Sequence, residues 1–180
     1  MLEKMQSEVF DQVFSIMERS FPADEYRTYD EQKALLSEPG YNIYVCMRHD
    51  LNGDYAAAFM SVWQFEDFTF IEHLAADPAI RGQGLGSAIL QEAVWMFRGQ
   101  ICLEVELPDT DLAKRRIAFY QRNGFYVNNY PYIQPSISKG KQPLPLLIMT
   151  SGACITEERF EKLRTELYRK VYKLPVGTKL

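Results

Sequence analysis

Apolar and polar positions change period several times along the chain, and each change marks an element. Residues 7–19 repeat Val9, Phe10, Val13, Phe14, Ile16 and Met17 at helical spacing. SFPADEYR (20–27) breaks that pattern at Pro22. A second helix is expected over Asp30–Ser37, stopped by Pro39-Gly40. YNIYVCMRH (41–49) and YAAAFMSVWQF (55–65) read as strands either side of Asp50-Leu51-Asn52-Gly53-Asp54, whose Asn-Gly signals a hairpin. FTFIEHLAA (68–76) adds a strand after Glu66-Asp67. Links this short make the three strands antiparallel.

The period then returns to helical. Leu85–Phe97 carries Ile89, Ala93, Met96 and Phe97 on one face, with Leu90 and Val94 beside them, and Gly99 closes it. ICLEVEL (101–107) is strand-like, and strand–helix–strand spacing implies a right-handed parallel crossover. Asp111 is expected to cap a helix ending at Asn123-Gly124. Strands are expected over Phe125–Ile133 and Leu144–Thr150. The connection 134–143, with Pro135, Gly140 and Pro143, reads as a mobile surface loop. Phe160, Leu163, Leu167 and Val171 stripe a C-terminal helix over 156–172. The expected fold is α/β (α+β): one domain over 1–180, a mixed, mostly antiparallel sheet of about six to seven strands, and helices on both faces. Residues 134–180 form a C-terminal extension of that domain.

Composition narrows the function classes. The chain has 180 residues, 47% hydrophobic, enough for one full core. Its net charge of −4, with no basic stripe, sets nucleic acid aside as a main partner. A mild acidic balance weakly favours a cationic small substrate. Cys46, Cys102 and Cys154 are far apart and lie in or beside apolar runs, as buried reduced thiols do. No CxxC occurs, and His49 and His73 are not at metal-ligand spacing, so no metal is expected. MLEKMQSEVF is charged where a signal peptide needs an apolar core. No apolar run approaches the roughly 18 residues of a membrane span. A soluble, cytoplasmic protein with no membrane partner is the expectation.

RGQGLGS (81–87) places three glycines and an arginine between strand 68–76 and helix 85–97. A helix start offers unpaired N–H groups and a positive dipole end, and glycines let backbone approach a phosphate closely. Arg81 adds a cation that can grip two oxygens. The chemistry suited to this loop is a phosphate or pyrophosphate; the plain alternative is a glycine-rich turn joining strand to helix. A P-loop would need Gly-Lys-Ser/Thr, and no lysine lies near. A dinucleotide fingerprint would need its third glycine elsewhere, and an antiparallel meander precedes this unit, although Glu104 stands about 20 residues on.

HLAADPAIRGQGLGSAIL (73–90) resembles the signature of the GNAT N-acetyltransferases, Arg/Gln-x-x-Gly-x-Gly/Ala: Arg81, Gly84 and Gly86 fit it. RRIAFYQRNGF (115–125) is similar to the family's helix with a Tyr before Gly-Phe. The likeness is good over residues 41–128 and weak beyond Asn128. One departure is Ala113, where many members carry Asn.

The resemblance implies acetyl-CoA as co-substrate, held in a central splay between strands 68–76 and 101–107. Its pantetheine arm would pair with backbone of Leu74 and Ala76, with Ala75 between. Its pyrophosphate would meet Arg81 and the amides of Gly82, Gln83, Gly84, Leu85, Gly86 and Ser87. Acetyl transfer to an amine needs a proton acceptor, since an alkylammonium has a pKa near ~10.4. Glu72, in an apolar run, is the candidate base with a raised pKa; the plain alternative is a strand-end side chain reaching solvent. His73 should point to the other face. The Leu74 N–H could stabilise the developing oxyanion. Tyr120 sits at the family's position for protonating the departing thiolate, though Ala113, Ile117 and Tyr120 also make a core stripe. No cysteine nucleophile is required. The acceptor, a small-molecule amine or a protein amino group, would be walled by Phe21, Glu25, Tyr26 and Arg27 and the Tyr130/Tyr132 region; plain polar packing is the alternative there. The C-terminal helix could pack on its own sheet or make a homodimer. A non-catalytic acetyl-CoA-binding sensor is the rival to an enzyme.

Overall fold

The computed structural model describes residues 1–51, 53–80 and 82–175. The chain forms two compact units, Met1–Ile101 and Cys102–Leu180.

In the first unit, strands β1 (Glu3–Lys4), β2 (Tyr41–Asp50), β3 (Gly53–Gln64) and β4 (Phe68–Ala76) pair in that order, each antiparallel to the next. The expected hairpin closes with Asp50 opposite Gly53, so the turn holds two residues. Asn52 lies outside the described residues. Helix α1 (Phe10–Ser20) buries Phe10, Val13, Phe14, Ile16 and Met17, the stripe its spacing dictates. Helix α2 (Tyr29–Ala34) starts at a capping box in which Thr28 and Glu31 satisfy each other's backbone N–H. Helix α3 (Leu85–Met96) follows β4. Helices lie on both faces of this sheet. Gln32 of α2 bonds the Tyr41 hydroxyl, whereas Tyr44, on the opposite face of β2, packs edge-on against Phe97 at 5.5 Å.

Two irregularities set the register. Ala57 is the extra residue on β3 between the Cys46–Ala58 and Met47–Ala56 pairs. Glu72 is the extra residue on β4 between Ile71, opposite Val62, and His73, opposite Ser61. A bulge of this kind shifts which residues face which side.

In the second unit, β5 (Gln100–Glu106), β7 (Leu144–Ser151) and β6 (Phe125–Gln134) pair antiparallel in that order. Helix α4 (Asp111–Arg122) is capped by the Thr110 hydroxyl. Asp111 therefore stands in the first turn rather than at the cap, where its charge still favours the helix dipole. Helix α5 (Glu157–Glu166) runs into a π-helical turn, Leu167–Val171, and buries Phe160, Leu163, Leu167 and Val171. The Glu104 carboxylate accepts hydrogen bonds from the Tyr132 and Tyr172 hydroxyls. Tyr130 donates to the Ile155 carbonyl and packs on Phe160. Tyr130 and Tyr132 thus spend their hydroxyls inside this unit. The 134–143 connection is pinned by buried Ile137 and by the Ser136 hydroxyl, which bonds the Ser138 and Lys141 carbonyls.

Candidate active site

The glycine loop leads straight into α3. Gly82 and Gly84 adopt φ of 84° and 76°, a left-handed backbone that other residues adopt at a cost. A Cβ added at either would meet nothing within 4 Å. Gly84 caps α3, and its carbonyl accepts from Ala88. The amides of Leu85, Gly86 and Ser87 therefore have no partner within the helix. Amides left this way at a helix start, beside two left-handed glycines, can accept an anion. Arg81 lies outside the described residues.

Backbone direction along β4 follows from one bond. Asp77 N–H donates to the Ala57 carbonyl, so Asp77 faces β3. Antiparallel pairing alternates, so Ala75 and His73 face β3 as well, while the N–H and C=O of Leu74 and Ala76 point away from it. Those two residues offer their backbone to a partner other than β3. Asp77 is itself fixed by a two-pronged pair with Arg19 of α1, both contacts at 3.0 Å.

The Glu72 bulge gathers a buried polar cluster. Glu72 Oε1 accepts from Arg27 at 2.7 Å, and the two side chains are 2% and 6% exposed. Oε2 has no hydrogen-bond donor at ordinary distance; His73 Nδ1 lies 3.7 Å away, and the Trp63 indole interacts weakly. Burial pushes the Glu72 pKa up, but the Arg27 guanidinium, by charge and hydrogen bond, outweighs it, and the carboxyl ends below its ordinary value. The expectation of a raised pKa fails for that reason. Arg27 is correspondingly held inside the unit rather than presented at a surface.

His73 does not point to the other face as strict alternation requires. The bulge turns it to the side of Glu72. Its Nε2 lies 2.8 Å from the Glu25 carbonyl, which can only accept, so Nε2 carries the proton. Nδ1 then accepts from the Ser61 hydroxyl at 3.1 Å, and Phe21 packs edge-on to the ring at 4.9 Å. Burial lowers the His73 pKa despite the nearby carboxylate, so the ring is neutral at pH 7. Phe21, Glu25 and Arg27 are thus tied to β4 at its bulge, Arg27 through Glu72 and the other two through His73. Tyr26 packs edge-on to Phe14 instead.

In the second unit, Ala113, Ile117 and Tyr120 form the buried stripe of α4. Tyr120 packs edge-on to Phe125 at 5.9 Å. Burial pushes its pKa up to about 12, with Glu106 adding to the rise and Arg116 opposing it. Among the described residues no group hydrogen-bonds the Tyr120 hydroxyl. The ring is buried, and the hydroxyl has no acceptor among the described residues.

A sequence model of the Acetyltransferase (GNAT) family matches residues 10–125. The chain belongs to this family. A solved GNAT-family acetyltransferase from Bacteroides thetaiotaomicron matches with a TM-score of 0.87 at 29% identity, over 97% of this chain and 99% of that one. YjbC of Bacillus subtilis, named as an acetyltransferase, is 26% identical over 155 residues, 84% of this chain and 77% of its own length. The ribosomal-protein-S18-alanine N-acetyltransferase of Escherichia coli shares the fold, with a TM-score of 0.61 at 19% identity over 88% of this chain and 96% of that one.

The chain is therefore an acetyltransferase of the GNAT fold, a family whose acetyl donor is acetyl-CoA. Sequence reasoning missed Ser61, Trp63 and Tyr41 around the GNAT β4 bulge. The one signal was a serine inside the apolar run YAAAFMSVWQF. Among the described residues no helix is long and apolar enough to cross a membrane, and no group of three or more His, Cys, Asp or Glu could hold a metal ion.

Proposed function

We propose that this GNAT chain transfers the acetyl group of acetyl-CoA to a primary amine by direct attack, with both reactants bound at once. The observation that carries the reading is the open cradle at Gly82 and Gly84 ahead of the unpaired first-turn amides of α3. Acetyl-CoA, when bound, supplies an activated thioester. Gly82 to Ser87, with Arg81, would hold its diphosphate, and the outward backbone of Leu74 and Ala76, with Ala75 between, would align its arm. The Leu74 N–H donates where negative charge develops on the carbonyl oxygen. Tyr120, kept protonated by burial, donates to the departing sulfur. No cysteine carries the acetyl group in this scheme. Cys102 is buried with its thiol pKa well above the ordinary value, so it is a poor nucleophile.

Glu72 has a different part from the base expected of it. Paired with Arg27, it stays a carboxylate and is a weak base. It acts as a positioning residue that fixes the bulge and hence the direction of Leu74–Ala76. The acceptor then loses its proton to water. The expected signature is kcat/KM rising with pH up to the acceptor's own pKa, with no plateau near neutrality. A pH profile on a panel of small amines and peptide amino termini, read as thiol release, measures it. A plateau set by a group with a pKa near 7, shared by all acceptors, would restore an enzyme base. Coenzyme binding with no turnover on any amine would favour the sensor reading.

A further inference from the structure

We infer that Arg48 is a second cation for the coenzyme's phosphates, recruited from β2. The inference rests on the proposed binding of coenzyme A at the glycine loop. Two observations carry it. First, Arg48 Nη1 donates to Gln83 Oε1 at 2.7 Å, so its guanidinium stands at the loop although 35 positions separate the two residues. Second, strand geometry puts it there independently. Tyr44 and Arg48 lie on the same face of β2, four residues or about 13 Å apart. Tyr44 meets Phe97, just past the C-terminal end of α3. The other end of that helix lies about 18 Å away along its axis. Arg48 thus reaches the end of α3 whose amides are unpaired.

Its present partner is a neutral amide oxygen on an exposed side chain. Arg48 is half-buried and its bond to Gln83 is exposed, so the guanidinium is within reach of an anion. A phosphate oxygen accepting from guanidinium makes a charge-assisted bond, shorter and stronger than one to an amide. Gln83 therefore acts as a holder, keeping Arg48 at the mouth of the cradle until the diphosphate or the ribose phosphate arrives.

Coenzyme A binding by calorimetry tests this on the full-length protein. Arg48→Ala is expected to raise the Kd about tenfold, and Arg48→Lys to fall between it and the wild type. Arg98→Ala, which removes one exposed charge at the opposite end of α3, should stay within about twofold. Repeating the titrations with 3′-dephospho-coenzyme A names the phosphate. An equal loss on both ligands places Arg48 on the diphosphate; a loss confined to coenzyme A places it on the 3′-phosphate. Wild-type binding with Arg48→Ala unchanged on both ligands overturns the inference and leaves the cradle intact. No binding by the folded wild type overturns the reading beneath it.

Discussion

Tyr120→Phe is expected to lower kcat about a hundredfold while the Kd for acetyl-CoA changes by less than about twofold. The substitution removes one oxygen and leaves the ring, so packing against Phe125 persists. No internal hydrogen bond is broken, because no described group accepts from this hydroxyl. A purely structural tyrosine at this position would tolerate phenylalanine with unchanged turnover. A proton donor would not, because the departing thiolate then leaves unprotonated. Rapid-quench and steady-state turnover, set beside coenzyme titration of the same variant, separate the two roles. Loss of coenzyme binding in parallel with kcat would point to a disturbed fold.

Arg27→Ala has the largest expected effect on stability, about 3–5 kcal/mol. It leaves Glu72 buried, 2% exposed, with neither oxygen paired. The double variant Arg27→Met with Glu72→Gln should recover most of that loss, since no buried charge remains. The pH dependence has a definite sign. Glu72 has a lowered folded-state pKa, so its contribution is complete above about pH 4.3 and is lost as pH falls through the folded value. His73 is also lowered, by burial. The unfolded chain therefore takes up its proton first below about pH 6.5, and the fold weakens from there downward. Without Arg27, burial raises the Glu72 pKa instead. The difference between wild type and Arg27→Ala should then be greatest at neutral pH, shrink as pH falls through the variant's raised value, and shrink further below about pH 4.3 as the wild-type pair protonates. Urea melts across that range measure it; a constant difference would mean the pair is not the cause.

Periodicity made most of this fold legible. Helical spacing located α1, α3 and α5 because each buries one continuous stripe, and turn residues bounded β2 to β4. What it could not show were features without a period. β1 is only Glu3–Lys4, and pairing with Val45 and Tyr44, not its own pattern, makes it a strand. The extra residue at Glu72 breaks alternation, so His73 lies on the face opposite to the one a regular strand would give it. The site divides the same way. The glycine loop is local and stands out in the sequence, and Tyr120 is proposed from the family resemblance. The Arg27–Glu72 pair joins residues 45 positions apart, and nothing local announces it. Without the arginine, burial alone would have raised the carboxylate pKa, as the sequence suggested.

The most direct measurement is an amide-resolved NMR titration of the folded protein with coenzyme A. Saturable shifts should appear at Gly82, Gly84, Gly86 and Ser87, where backbone N–H groups meet the diphosphate, while Gly152, in the β7–α5 connection, stays still. If those four amides did not move at millimolar coenzyme A while the spectrum stayed that of a folded chain, the loop would be a turn and not a cradle.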